Sequence, residues 1–177
     1  IWWSGVEVDV KPVGEAANGY KALTFHGVGM DYPIYDDMKK FVIEPGKASQ
    51  GGPHVGSVLY SRGMYAAVVI AEAIKKAQEL SGASAITAAQ LRDGFEALDI
   101  TPERLAELGL PDFGPEIKMT CDNHGGSGMS RVQQWDAAAG KWNLITDFTE
   151  PDQEILTPLI TEDSEAFAKE AGITPRC

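Results

Sequence analysis

The sequence lacks a long apolar run and is poor in basic residues. Its longest apolar stretch, Ala66 to Ala71, is far shorter than the roughly 20 residues that a membrane-spanning helix needs. Lysine and arginine total 15 against 26 aspartates and glutamates, which gives a formal net charge of -11. A chain this acidic repels phosphate backbones and anionic membrane surfaces, so we expect no nucleic-acid partner.

Motifs that would indicate catalysis or metal binding are also missing. The sequence has no P-loop, nucleophile elbow or dinucleotide fingerprint, and its three histidines do not have metal-ligand spacing. The segment Cys121-Asp122-Asn123-His124 could form a metal site or a Cys–His pair. A hydrolase or a metalloenzyme is therefore one hypothesis for the function. The alternative is a strand end followed by a glycine-rich turn. We expect no enzymatic activity, cofactor or metal.

The chain has only two cysteines, Cys121 and Cys177. Cytosolic and exported proteins both tolerate this number. A disulfide would tie down the last residue of the chain, whereas two unrelated free thiols would not. Composition alone leaves both alternatives open.

Hydrophobic residues make up 44% and charged residues 23% of the chain, which is typical of a globular α/β protein. Alternation and turn residues predict strands at 1–3, 20–26, 117–120, 131–136 and 141–148. Helical periodicity and capping residues predict helices at 31–43, 58–80, 87–98, 101–109 and 161–171, and a loop or short helix at 4–18. The N-terminal half of helix 58–80 is expected to be deeply buried, yet the predicted strands are too few to cover it. This mismatch, with the apolar first residues, predicts a part of a longer chain.

Candidate ligand-binding residues cluster just after the first predicted strand. In open α/β sheets, ligands bind beyond the carboxyl ends of strands. Indole rings cover apolar ligands or accept a cation, and a carboxylate accepts hydrogen bonds from an ammonium group. The candidates are Trp2, Trp3, Ser4, Glu7 and Asp9. Alternatively, the two tryptophans are core and the two acids are solvated.

Tryptophans in the predicted hairpin have a different expected role. Trp135 and Trp142 lie within its two strands. Both are expected in the core rather than against a ligand.

Seven segments in order resemble one known family. They are WWSGVEVD (2–9), GEAANGY (14–20), VGSVLYSRGMYAAVVIAEAIKKAQ (55–78), QLRDGFEAL (90–98), CDNHGGSG (121–128), RVQQWD (131–136) and ITPRC (173–177). The chain resembles the C-terminal part of the type I periplasmic solute-binding proteins of ABC importers, in the branched-chain amino-acid-type group.

The resemblance implies an α/β, type I periplasmic-binding-protein fold that is incomplete here and contributes to both lobes. Residues 1–19 would end the second lobe and enter the hinge, 20–110 would form part of the first lobe, and 111–177 would return to the second. A solute would be held in the cleft between the lobes. Glu7 would lie where the second lobe contacts the ammonium group of an amino acid.

The resemblance also implies a periplasmic or extracytoplasmic protein without enzymatic activity. Such a protein delivers an amino acid or a similar small polar or aromatic solute to an ABC permease in the membrane. The alternative function is a ligand-sensing domain of the same fold in a receptor or regulator. The exported setting favours a disulfide between Cys121 and Cys177. The 177-residue chain alone is expected to bind solute poorly and to self-associate as a homodimer.

Overall fold

A computed structural model describes residues 5–49, 52, 54–174 and 176–177. The α-helices are α1 Glu7–Val10, α2 Pro33–Met38, α3 Val58–Ser81, α4 Ala88–Glu96, α5 Pro102–Glu107 and α6 Gln153–Ala171. The strands are β1 Lys21–Thr24, β2 Asp99–Ile100, β3 Ile117–Lys118, β4 Arg131–Asp136 and β5 Lys141–Leu144. A 3-10 helix, Lys11–Ala17, follows α1, and a π-helical turn, Lys39–Ile43, follows α2. The mixed α/β class is as predicted.

Capping residues fix the helix boundaries. The Ser57 hydroxyl accepts the N–H of Tyr60 at the start of α3, and Gly82 ends that helix with a φ of 68°. Left-handed backbone at this position favours glycine because it has no Cβ. Thr87 and Gln90 form the predicted capping box of α4, and Thr101 caps α5.

Two small antiparallel sheets carry the strands. The first has the order β1-β4-β5, with Lys21 opposite Gln134 and Trp135 opposite Trp142. The second pairs β2 with β3. Strand β2 was not predicted, because two residues are too few to show a period. The first sheet places Ala22 of β1 and Gln133 of β4 beside Gly5, which precedes α1.

Buried side chains form two clusters. The first contains Tyr65, Ala73, Leu98, Ile100, Leu105, Leu110 and Phe113. The second contains Val6, Val10, Ala17, Val58, Trp135 and Trp142, so the prediction that both hairpin tryptophans are core is confirmed. Strand β1, in the segment 20–110, shares a sheet with β4 and β5, in 111–177. The assignment of these segments to lobes stays a prediction.

Two helix predictions were wrong, one in the burial of the helix and the other in the residue at which the helix begins. The N-terminal half of α3 is not deeply buried on all sides, because Leu59 is 40% exposed, and the exposed face continues at Ile70, which is 46% exposed. Helix α6 begins at Gln153 rather than Thr161, since the Asp152 carboxylate accepts the N–H groups of the first turn. Pro158 lies inside the first two turns of α6 and obscures the helical pattern in the sequence.

The end of the chain is anchored by a disulfide and by ion pairs. Cys121 and Cys177 are bonded, with their Cα atoms 5.9 Å apart. Next to this bond, the Glu96 carboxylate at the end of α4 contacts Arg176 and His124. The pKa of Glu96 is lowered, chiefly by the hydrogen bond from Arg176 and to a smaller degree by the hydrogen bond from His124. The C-terminus and the glycine-rich turn are therefore held against α4.

Helices α3 and α4 approach closely at Gly94. A Cβ at this position would lie 2.8 Å from the Cβ and 2.9 Å from the backbone nitrogen of Ala77. Gly63, in α3, has no atom within 4 Å of the corresponding point. The first glycine thus permits helix packing, whereas the second has open space.

We expect Gly94→Ala and Gly63→Ala to change stability in opposite directions. Overpacking at Gly94 should cost about 1–3 kcal/mol of unfolding free energy. Alanine at Gly63 should add about 0.5–1 kcal/mol, because it restricts the unfolded chain and suits a helix. Urea unfolding of the two variants measures both values. Equal effects would show that the α3–α4 contact is not as close as described.

The disulfide gives a chemical prediction. Non-reduced protein should take up no alkylating reagent, and reduced protein should take up two equivalents at Cys121 and Cys177. In the chain-entropy model, opening a loop with a sequence separation of 56 costs about 4 kcal/mol of stability. Mass spectrometry after alkylation and urea unfolding with and without reductant measure these effects. Two alkylated cysteines in non-reduced protein would disprove the bond.

Candidate functional site

Glu7 lies against the first turn of α3. Both carboxylate oxygens are 3.1 Å from the backbone nitrogen of Val58, which donates the hydrogen bond. The N-terminus of a helix carries partial positive charge, so it stabilises a carboxylate there. A carboxylate has about four acceptor positions, and one N–H group does not saturate them. Glu7 can therefore hold α3 and still accept a further donor.

The other predicted site residues divide into two groups. Asp9 is exposed, and its carboxylate accepts the N–H of Val6 at 3.3 Å, which caps α1. Trp2, Trp3 and Ser4 lie outside the described residues. Glu7 and Asp9 both lie on α1, but their carboxylates contact different groups, Glu7 the N–H of Val58 and Asp9 the N–H of Val6. Ligand contact by all five residues stays a prediction.

Gln133 is a polar contact to this segment that sequence reasoning missed. Its side chain is 1% exposed and its Nε2 donates to the backbone oxygen of Gly5. Gly5 has a φ of 76°, and a Cβ there would collide with the side chain of Ala22. Gln133 and Gly5 therefore fix the backbone just before α1. Alternation in RVQQWD places residue 133 on the inward face with Trp135, and a polar residue on that face was the available signal.

One acceptor beside Gly5 has no hydrogen-bond partner. Among the described residues, the buried Oε1 of Gln133 receives no donor. An unpaired buried acceptor costs about 1–3 kcal/mol, and most buried acceptors in native proteins are paired.

His26 lies fully buried beyond the end of β1. Its Nδ1 is 2.7 Å from the backbone oxygen of Gly27, to which it donates, and Arg62 donates through Nε to its Nε2 at 3.3 Å. The ring stacks on Phe113 with centroids 5.7 Å apart. Burial lowers the pKa of His26 to about 4, although the bond to Gly27 acts in the opposite direction. The charges of Arg62 and Arg131 also lower it, so the ring is neutral at physiological pH.

Polar and charged groups line the first two turns of α3. The guanidinium of Arg62 lies over the ring of Phe25 at 5.2 Å, and burial lowers its pKa. The hydroxyls of Ser61 and Tyr35 are 2.7 Å apart, with burial raising the pKa of Tyr35. Glu7 thus contacts the first residue of α3, whereas Arg62, one turn further along, contacts His26 and Phe25.

The segment Cys121–His124 does not form the Cys–His pair that was considered as an alternative. The sulfur of Cys121 is bonded to Cys177, and the His124 ring faces Glu96 at 3.3 Å instead. Within the part of the chain that the structure describes, no three histidine, cysteine or acidic side chains are placed to hold a metal ion. None of the described helices is long and apolar enough to cross a membrane.

Comparison with known proteins gives two structural neighbours, whereas no protein-family model and no curated protein matches. The first is a protein described as an ABC transporter permease from the Pseudomonas fluorescens group. It is 38% identical, with a TM-score of 0.91, over 99% of this chain and 42% of that chain. The chain therefore spans less than half the length of this neighbour. We call it the Pseudomonas neighbour.

The second neighbour is a branched-chain amino acid ABC transporter protein from Thermus thermophilus with bound valine. It is 22% identical, with a TM-score of 0.65, over 88% of this chain and 40% of that chain. At this identity the match supports the fold alone. Both neighbours are described as ABC transporter proteins. This agrees with the broader part of the sequence-based prediction, which is a relationship to ABC transporters.

The neutral His26 makes stability depend on pH. Its pKa is lower in the folded protein than the ordinary 6.5, so the unfolded chain binds the proton first as the pH falls. The stabilisation is complete above pH 6.5 and is lost towards pH 4, by on the order of 3 kcal/mol. Urea unfolding at pH 7 and pH 4 should show this excess loss relative to His26→Gln. The exposed His54→Gln should keep the wild-type pH dependence, and an unchanged dependence in His26→Gln would contradict the prediction.

Proposed function

We propose that the chain is part of the extracytoplasmic solute-binding component of an ABC importer. The match to the Pseudomonas neighbour, at 38% identity and a TM-score of 0.91 over 99% of the chain, supports a relationship to ABC transporters. A match this complete at this identity is evidence for relationship as well as for fold. The neighbour's transporter description then supports transport rather than catalysis as the role, and we propose no enzymatic activity. The solute-binding role is carried by the family resemblance of the sequence and by the Thermus neighbour, which has valine bound.

The proposed solute is an amino acid or a similar small polar or aromatic molecule. Valine is bound to the Thermus neighbour, which has the same fold over 88% of this chain. In our proposal the Glu7 carboxylate accepts hydrogen bonds from the solute's ammonium group. It does so at the acceptor positions that the N–H of Val58 leaves open. Trp2, Trp3 and Ser4 contact the rest of the solute, and Asp9 adds negative potential at the ammonium end. The proposed location of the bound solute is the cleft between the two lobes that the family resemblance implies.

The proposed partner is an ABC permease in the membrane, and the proposed setting is the periplasm or another extracytoplasmic space. The disulfide between Cys121 and Cys177 suits such a setting, because disulfides persist under oxidising conditions. The net charge of -11 argues against nucleic acid as a further partner.

A hybrid protein tests the function. In this chimera the 177-residue chain replaces the matching part of the Pseudomonas neighbour, so that the remainder of that protein is present. We expect at least one member of a panel of amino acids, amides and aromatic acids, valine included, to raise the melting temperature and to bind in calorimetry. If no member of the panel binds the chimera, the proposed solute class is wrong.

Glu7→Gln in the chimera tests the site. Loss of a charge-assisted hydrogen bond costs about 1.5–3 kcal/mol, so affinity for the solute found in the panel should fall about 10- to 100-fold. Glu15→Gln, an exposed acid on the neighbouring 3-10 helix, should leave affinity unchanged. Calorimetry measures both variants. Wild-type affinity in Glu7→Gln would remove Glu7 from the site.

A further inference from the structure

The two cysteines of the disulfide lie on segments that are held to the fold in different ways. The segment of Cys121 is fixed by backbone contacts, because the preceding strand β3 pairs with β2 and the N–H of Met119 donates to the backbone oxygen of Leu98 at 3.0 Å. The turn that contains Cys121 is closed by hydrogen bonds between Thr120 and Asn123. None of these hydrogen bonds involves a sulfur, so reduction of the disulfide does not remove them.

Cys177 is held through its neighbour Arg176 instead. Within the part of the chain that the structure describes, the guanidinium of Arg176 makes the polar contact that joins segment 172–177 to the body of the fold, apart from the disulfide itself. The acceptor is Oε1 of Glu96, at the end of α4 and 80 positions away in the sequence. The position of Cys177 before the bond forms therefore depends on this ion pair.

The same oxygen of Glu96 also contacts the segment of Cys121. Nε2 of His124 lies 3.3 Å from Oε1, and because a carboxylate only accepts, this nitrogen donates. The side chain of Glu96 is 10% exposed, whereas those of Arg176 and His124 are 49% and 61% exposed. Glu96 is thus the shielded group to which both cysteine-bearing segments attach.

We propose that Glu96 is a positioning residue for disulfide formation. Its carboxylate holds Arg176 and His124 at one oxygen, and this places the two cysteines side by side before their sulfurs are joined. In the exchange, the two thiols lose two protons and two electrons to an external disulfide, which is reduced to two thiols. Groups that are ordered in advance react at a high effective concentration, so the equilibrium favours oxidation more than it would on a free chain end. This role belongs to the maturation of the chain and does not depend on the solute that it binds.

Three variants and one control separate positioning from general stability. Glu96→Gln removes the shared carboxylate, Arg176→Gln removes one of its donors, and Arg176→Lys keeps the charge of that donor. The control is Glu72→Gln. Glu72 accepts two hydrogen bonds of 2.8 Å from Arg104, so its replacement should destabilise the fold, but its partner lies on α5 rather than on either cysteine-bearing segment.

The quantity to measure is the equilibrium constant for oxidation of the 177-residue chain in buffers of reduced and oxidised dithiothreitol, with alkylation and mass spectrometry as the readout. We expect Glu96→Gln to lower this constant about 3- to 10-fold, as partly exposed ion pairs are modest in strength. The double variant Glu96→Gln/Arg176→Gln should not fall below Glu96→Gln, because both changes remove the same contact. Arg176→Lys should lie between Arg176→Gln and wild type. Glu72→Gln should stay within about twofold of wild type, because distant sites act independently.

Salt gives a second readout, because it screens contacts between charges. In about 1 M sodium chloride the difference between wild type and Glu96→Gln should shrink to less than about twofold. An unchanged constant in Glu96→Gln would overturn the positioning role, and so would a fall that persists in high salt. An equal fall in Glu72→Gln would also overturn it, because oxidation would then follow the overall stability of the chain rather than the placement of Cys177.

Discussion

Both hydrophobic clusters are built on helix α3, and the remaining elements depend on its position. Val58, at its first turn, belongs to the cluster with Trp135 and Trp142. Tyr65 and Ala73, further along the same face, belong to the cluster that α4 and α5 complete. One rigid helix therefore links the sheet to the helical part of the chain. A shift of α3 would disturb both clusters together, because close-packed interiors transmit displacement.

The same helix accounts for how the candidate site is positioned. The carboxylate of Glu7 binds the N–H of Val58, and the neighbouring Val6 and Val10 pack on the same cluster as Val58. A hydrogen bond to a carboxylate and apolar packing thus both fix the short segment from Val6 to Val10. Gln133 holds the preceding residue, Gly5, from the sheet side. The backbone that leads into the predicted ligand-binding positions is therefore fixed from two directions.

Local signals predicted most of the elements, whereas the distant hydrogen bonds that position the candidate site could not be predicted. The capping residues Ser57, Thr87 and Thr101 act within three positions of themselves, so the sequence carries their effect directly. The bonds from Val58 to Glu7 and from Gln133 to Gly5 join residues 51 and 128 positions apart. Their existence depends on how the sheet and α3 are assembled, which no local pattern encodes.

The exposure of α3 was mispredicted for a related reason. Residues such as Leu59 and Ile70 give the periodicity of a buried helix, and periodicity records what a helix can bury. It does not record whether a covering layer is present in the same chain. Helix α4 packs along one side of α3, with Gly94 against Ala77, whereas the apolar outer face of α3 remains on the surface. The hydrophobic periodicity therefore predicted the helix correctly but carried no information about what packs against it.

Helix α6 is positioned by its two ends rather than by its side chains. Before it, Ser130 and Thr149 form a β-bridge, and the Asp152 carboxylate caps its first turn. After it, Gly172 ends the helix, and Cys177 is bonded to Cys121 while Arg176 contacts Glu96. Anchoring at both ends restricts the orientation of a helix that buries nothing along its length.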